Sequence, residues 1–566
     1  MVRILVVVGL AWAGPAAAFD IETTSEVWTK TIAGPAGQDG MDAATGLGVD
    51  GDGNVTAGGT LDGAAGHGTD GYIVSWDPDG TERWELTVDS GVVGATDSND
   101  RIEDLAVDTT DQVTAVGRLA SSGVADGAFW AAAYEPVAGA ELWERTILQQ
   151  FSPDQQAFGL GLSPSNNDPF VVGWSRGDLP GLTGQWEYTR LAKADGLDVV
   201  PLSTFDASSA AYNPDQAFDG AMDLGGTFTV VGRAGTDGGS AVSITNDTQF
   251  MTRRYDALGA LVWSGVLGGS LEDEALAVVI DAFSEPHVAG YENVGTDNAE
   301  GRDEDWLVVK YSSAANADGT GAVEWTYTWG TTGANERATA IAVDEDGGFI
   351  VAGTAVDSAT GNTVWRVVQL SEVDGSQRSE RLWPVTAGDS VPYAVAQVSG
   401  VAVVAGMQGN ADGDFHVSYL ASDLDLDGTI DSEDDCPTNG SKTEPGVCGC
   451  NLTDLDGDGD GVEDCNDICD GDGDKTEPGI CGCGFPDSDD DGDGVPGCDD
   501  ACSTTPAGVV VDAGGCGPDE RGEVDTDTGE VAPPTPDEKG CNTSGAPAGL
   551  LGVAFAALAA TRRRRS

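Results

Sequence analysis

Seven copies of one short pattern run through most of this chain, and that repetition limits its fold more than any other feature. The clearest copy is residues 340–354, AIAVDEDGGFIVAGT. Ile341 and Val343 alternate with Ala340 and Ala342, the period of a pleated strand. Asp344, Asp346, Gly347 and Gly348 supply a turn, because glycine admits positive φ and aspartate can bond its own backbone. Residues 349–352 then run back to Gly353. A single hairpin is marginal in water, so each copy must pack on its neighbours.

The closing glycine is placed at Gly58, Gly117, Gly173, Gly232, Gly290, Gly353 and Gly406, at intervals of 53 to 63 residues. Each copy keeps one order. A first strand ends in an acidic turn at Asp50, Asp108, Asp281 and Asp344, a second ends in the glycine, and a third is aromatic and branched, as in WLVVKY from Trp306. A fourth is opened by Trp84, Trp143, Trp263, Trp325 or Trp383, with Phe205 in the weakest copy. Four short strands per unit describe a blade, so the expected fold is all-β, a seven-bladed β-propeller over residues 19–420. A β-sandwich array does not explain the fixed four-strand unit. The last copy lacks a fourth strand, and the chain starts with an unassigned one, residues 27–32 with Trp28. That strand is expected to complete the seventh blade and remove the open edge.

The first strands, rich in Ala and Gly, are expected to line a central channel, and the aromatic positions to fill the space between blades rather than form a sugar-stacking platform. Asp42, Asp100, Gln155, Asp273, Glu336 and Asp389 precede first strands and are expected near one channel mouth, as turn caps or as holders of a cation or polar ligand. The hairpin followed by a W/Y strand resembles the SBBP-type β-propeller repeats of bacterial secreted proteins. The third and fourth copies depart from it, with Ser163 and Gly225 near the expected Asp. That resemblance implies a fold and no activity.

Composition excludes some functions. The chain has 566 residues, with 96 acidic against 26 basic and a net charge of −70. A nucleic-acid ligand needs phosphate neutralised by Lys and Arg, so it is not expected. The three histidines, His67, His287 and His416, are far apart, and His287 and His416 fall at strand positions. No G-x-S-x-G elbow and no H-E-x-x-H helix occurs. No positive case for an enzyme emerges.

After the repeats the composition changes. Asp423, Asp425 and Asp427 end in Gly428; Asp456, Asp458 and Asp460 in Gly461; Asp489, Asp491 and Asp493 in Gly494. Alternate carboxylates can fold around one hard cation, with glycine making the sharp turn, so Ca²⁺ is the expected cofactor. Position 9 adds Asp431 and Asp464 in the first two loops, and position 12 adds Asp434, Asp467 and Asp500. Asp470, Asp472 and Asp474 form a weaker candidate, because Lys475 replaces the glycine. The competing reading is a disordered acidic linker.

All eleven cysteines follow residue 435. KTEPGVCGC at 442–450 recurs as KTEPGICGC at 475–483. In a secreted chain these read as disulfides rather than zinc ligands, and a neighbour-to-neighbour order is expected: 436–448, 450–465, 469–481, 483–498 and 502–516. The segment 421–520 resembles thrombospondin type 3 repeats, D-x-D-x-D-G…D-x-x-D-x-C, which implies Ca²⁺ loops held by metal and disulfides with little regular structure.

The ends read as address labels. Arg3, a short apolar run and Ala16-Ala17-Ala18 form a secretory signal over 1–18, with cleavage after Ala18, rather than a short membrane anchor. Residues 521–540 read as a disordered linker. Cys541, a short apolar run and Arg562–Arg565 resemble the MYXO-CTERM sorting signal over 541–566. That implies an envelope membrane segment, a sorting protease acting near Cys541, lipid on that cysteine and anchoring at the outer cell surface; a plain membrane anchor is the competing reading. The functional expectation is a non-enzymatic binding or adhesion propeller on a calcium-stiffened stalk, facing an extracellular protein or polysaccharide. The alternative is a surface hydrolase or lyase with its site at the channel mouth.

Overall fold

In a computed structural model, the described residues before 423 form seven four-stranded antiparallel sheets arranged as a propeller, with a single 3₁₀ turn at Ile21–Thr23. The structure describes residues 19–34, 42–63, 68–90, 99–120, 128–147, 155–176, 184–205, 215–235, 248–268, 271–295, 303–344, 347–383, 388–398, 400–409 and 413–520. Ala18 and the signal segment, the 521–540 linker and the tail with Cys541 lie outside them. The chain divides into two compact units, Met1–Pro445 and Gly446–Ser566.

Blades 1 to 6 each use four consecutive strands, at 43–88, 101–147, 155–205, 216–267, 274–329 and 338–382. The seventh uses Val391–Val398, Val401–Gln408 and Asp414–Ser422, and takes its outer strand from the start of the chain, Thr24–Ile32. Thr24 pairs with Ser422 and Ile32 with Phe415. The expected closure of first on last is therefore present.

Seven apolar clusters occupy the seven seams between blades. One joins Val55, Ala57 and Tyr72 of blade 1 to Val403, Phe415 and Val417 of blade 7. Another joins Trp365 and Val367 of blade 6 to Ala402 and Val404 of blade 7, with Phe19 and Ile21 added from the N-terminal segment. Third strands such as Ala128–Tyr134 are buried along their whole length, because a blade is covered on both faces. The aromatic positions are core, as expected.

The inner strands explain the repeated glycine. Each of the seven skips one residue in its register with the second strand, a β-bulge at Thr45, Glu103, Phe158, Phe218, Leu276, Thr339 and Tyr393. Directly opposite the residue before each bulge stands a glycine of the second strand. A methyl group there would overlap a main-chain carbonyl oxygen of the inner strand in all seven blades. In blade 1 this residue is Gly59, paired with Ala44, and not Gly58. The run of two glycines concealed the register.

Two other assignments shift. The acidic turn of blade 4 is made by Asp223, whose carboxylate accepts from the Gly225 and Thr227 amides at 2.8 and 3.0 Å; Gly225 is the turn itself. In the outer strands, Trp84, Trp143, Trp263 and Trp325 share one register position, but blades 3 and 6 put Val200 and Ser379 there. Phe205 ends the outer strand of blade 3, and Trp383 follows that of blade 6. Aromatic identity alone could not distinguish the two ends of a strand.

The outer-strand tryptophans tie blade to blade. The Trp28 indole N–H donates to Pro78 O (2.9 Å), Trp84 to Pro136 O (2.8 Å), Trp143 to Lys193 O (2.8 Å) and Trp325 to Glu372 O (2.9 Å). Each acceptor lies in the outer turn of the next blade.

His416 is buried at the closing seam, its ring nitrogens bonded to Thr31 Oγ1 (2.8 Å) and Ser418 Oγ (3.1 Å). Burial pushes its pKa down to about 4. The unfolded chain takes up a proton near pH 6.5 and the folded chain does not, so stability is lost as pH falls below 6.5. At pH 5 the loss is about 2 kcal/mol. Urea unfolding at pH 7 and pH 5 should show this component in the native chain and not in His416→Gln.

Candidate metal sites and channel mouth

The three Asp loops have a common internal geometry. Their short alternation of Asp and Gly cannot bury an apolar face, so local hydrogen bonds shape them. In the second loop, Asp456 accepts from the Gly459 (2.7 Å) and Gly461 (3.0 Å) amides. In the third, Asp489 accepts from Gly492 and Gly494, both at 2.8 Å. Asp427, Asp460 and Asp493 at position 5 accept from the amide two residues on. Asp431 and Asp464 at position 9 reach back to the Leu424 (2.8 Å) and Gly457 (2.7 Å) amides. Asp434, Asp467 and Asp500 at position 12 each hold the amide of a following cysteine, Cys436, Cys469 and Cys502.

These bonds leave inward oxygens over. Asp423 Oδ1, both oxygens of Asp425 and Asp434 Oδ2 in the first loop are buried without a hydrogen-bond partner. So are Asp458 Oδ2 and Asp467 Oδ2 in the second, and Asp491 Oδ2 and Asp493 Oδ2 in the third. In each loop one oxygen from each of the first three aspartates lies within 4.8 Å of the others. Burial, then the neighbouring carboxylates, pushes the pKa of Asp425, Asp458 and Asp491 above the usual carboxylate range. Converging, unpaired, hard oxygen donors fit Ca²⁺, which takes six to eight oxygens at about 2.3–2.6 Å. Position 9 of the third loop is Gly497, which offers no carboxylate; its amide donates to Ser488 O at 2.9 Å, and Cys498, one residue on, is disulfide-bonded to Cys481.

The weaker candidate around Asp470 is built differently. Lys475 reaches Pro478 O (3.0 Å), Gly482 O (3.0 Å), Phe485 O (2.8 Å) and Asp487 Oδ1 (2.9 Å). An ammonium group fills an oxygen cage, so this repeat carries its own cation. Asp472 is occupied by the Gly484 amide at 2.7 Å. The KTEPG motif signalled this role, since its lysine recurs in phase with the cysteines.

The disulfides correct the expected order. Cys448 pairs with Cys465, Cys469 with Cys483, Cys481 with Cys498 and Cys502 with Cys516; Cys436 and Cys450 are also disulfide-bonded. Of the expected neighbour pairs, 502–516 is found, while 436–448, 450–465, 469–481 and 483–498 are not. The two cysteines of each C-G-C serve different bridges: Cys481 bonds forward to Cys498, and Cys483 bonds back to Cys469. Asp487 holds the Cys481 amide at 2.7 Å, and Asp454 the Cys448 amide at 2.8 Å, which aims these residues toward the following loop. Peptide mapping of the unreduced protein should recover a 448–465 and a 481–498 cross-link; a 450–465 cross-link would contradict this pairing.

At the propeller axis the bulge residues Thr45, Glu103, Phe158, Phe218, Leu276, Thr339 and Tyr393 line a cavity of about 1170 Å³. Asp104 and Asp219 also line it. Asp104 accepts from the Leu105 and Leu160 amides, and Asp219 from the Gly220 and Val278 amides, each at 2.7 Å. Each carboxylate thereby joins two neighbouring inner strands. Burial raises the pKa of both, Asp219 to about 6, and for Asp104 the charge of Asp219 adds to the effect.

The polar residues that precede the inner strands turn out to be caps. Asp42 accepts from the Asp62 (2.6 Å) and Gly34 (2.5 Å) amides, Asp100 from Ala120 (2.6 Å) and Ser90 (2.7 Å), Asp273 from Asn293 (2.7 Å), and Glu336 from Val356 (2.9 Å) and Thr331 (2.6 Å). They pin the start of the inner strand to the end of the second. Gln155 is buried at the same position, which is Asp215 in blade 4 and Ser390, not Asp389, in blade 7. Asp389 is exposed and accepts from the Thr363 amide at 2.9 Å. The bulge register, invisible in sequence, decides this alignment. Asp70, Asp89 and Asp100 form a further acidic group, unflagged by the repeat pattern, but Asp100 already spends both oxygens on Ser90 and Ala120.

No protein-family model matches the chain, and no curated relative does. Among solved structures it is similar to the WD40 domain of Neurospora crassa Pan2, at 11% identity and TM-score 0.43, covering 72% of this chain and 96% of that one. It is also similar to polysaccharide lyase Uly1, at 9% identity and TM-score 0.43, covering 71% and 99%. A protein of unknown function from Dyadobacter fermentans matches at 10% identity and TM-score 0.39, covering 71% and 100%. Identities this low carry no function across.

Proposed function

We propose that this chain is a cell-surface display protein: a non-enzymatic binding or adhesion propeller carried on a calcium-stiffened stalk and anchored at Cys541 once the tail beyond it is removed. The observation that carries the reading is the set of buried, unpaired carboxylate oxygens in three in-phase Asp loops. Such loops pay a repulsive cost unless a cation fills them, and millimolar Ca²⁺ outside the cell suits sites of this kind. The interleaved disulfides support an oxidising destination. Binding is favoured over a surface hydrolase or lyase because both oxygens of Asp104 and of Asp219 hold adjacent inner strands together.

Display is tested on intact cells of the source organism. An antibody to the propeller should label unpermeabilised cells, and the mature protein should lack the residues beyond Cys541. Labelling that appears only after permeabilisation overturns the reading.

A further inference from the structure

The first Asp loop differs from the other two in what it touches. It begins at Asp423, directly after the closing strand Asp414–Ser422, and belongs to the propeller's own compact unit. The Asp423 amide donates to Thr23 O at 2.7 Å, and Ser25 Oγ donates to Asp423 Oδ2. Thr23 and Ser25 flank the start of the strand that closes the ring. On the other side, the Asp431 amide donates to Ser422 O at 2.7 Å, and Asp431 Oδ1 accepts from Leu424. One loop thus grips both strands of the closing pair.

Asp423 has no exposed surface, and its Oδ1 has no hydrogen-bond partner. Asp434 is buried too, with Oδ2 unpaired, and both oxygens of Asp425 are unpaired between them. We infer that a divalent cation held by Asp423, Asp425 and Asp434 clamps the first strand of the propeller to its last, so that ring closure is calcium-dependent. This rests on the calcium reading of the loops and goes beyond it; the other two loops belong to the second unit.

The coupling follows from shared atoms. Peeling Thr24–Ile32 away removes Ser25 and Thr23 from Asp423, the first ligand, and releases the loop that positions the others. An ion bound to the closed state alone therefore suppresses opening by a factor of one plus the ratio of free ion to its dissociation constant. Without the ion, the carboxylates of Asp423 and Asp434, both buried, and of half-buried Asp425 repel one another beside the seam, and opening is promoted.

Hydrogen–deuterium exchange of the full mature chain, read on peptides covering residues 19–32, tests the clamp. With Ca²⁺ alone as the probe, at 100 times its dissociation constant, exchange of the 24–32 amides should slow by up to about 100-fold. The protection should vanish in Asp425→Asn/Asp434→Asn and persist in Asp458→Asn/Asp467→Asn. Calorimetry on the same samples separates the failures. Ca²⁺ binding to the first loop with unchanged exchange of the native chain overturns the clamp and leaves the calcium loops standing. Protection that survives the first-loop variant overturns it as well. An absence of bound Ca²⁺ overturns both.

Discussion

Gly353→Ala is expected to destabilise the propeller by about 3 kcal/mol or more. The added methyl would overlap the Arg337 carbonyl oxygen and meet the Trp306 ring at 2.5 Å. Neither neighbour can retreat. Arg337 is bound to Glu304 at 2.5 and 2.8 Å and lies over the Tyr291 ring at 4.4 Å; the Trp306 indole N–H donates to Thr354 O at 2.8 Å. The adjoining bulge is fixed in turn, because Thr339 Oγ1 bonds Pro392 O of the next blade at 2.5 Å. Gly51→Ala is the control: nothing lies within 4 Å of its added methyl, and the cost should stay within about 0.5 kcal/mol. Equal midpoints of urea unfolding for the two variants would contradict the account of the repeat.

Removing calcium should be the second large effect. Each filled loop contributes about 2.7 kcal/mol at 100 times its dissociation constant, and the second unit holds two of them, around Asp458 and Asp491. Chelation should therefore lower the melt of the 446–520 segment sharply, while the disulfides keep its chain connectivity. Asp458→Asn should remove about half of the difference between calcium-loaded and chelated protein. A melt of this segment that is indifferent to chelator would leave the unpaired carboxylates without a physical explanation.

Much of the architecture was legible because the repeat is strict. The spacing of Gly117, Gly173 and Gly232 gave the blade count, and the orphan Trp28 strand gave the closure, since a ring has to pair its ends. The bulges were not legible. One skipped residue per inner strand leaves no compositional trace, so Gly58 stood in for Gly59, Asp389 for Ser390, and Asp215 was missed. The alternation of aspartates that brings three carboxylates together in each loop was legible, because spacing within a loop is a local constraint. The disulfide order was not, because bridge choice depends on which way each cysteine of C-G-C points, and Asp454 and Asp487 set that. Lys475 looked like a defect in a metal loop; only its four oxygen partners reveal it as the cation of its own cage.

The most direct measurement is a calorimetric titration of Ca²⁺ into the chelator-stripped mature protein. Three stoichiometric sites are expected, one lost in Asp425→Asn/Asp434→Asn and one in Asp458→Asn/Asp467→Asn, with affinities that survive moderate salt. A weak, non-stoichiometric heat that fades as ionic strength rises, as a diffuse acidic surface would give, is the result that would contradict the account.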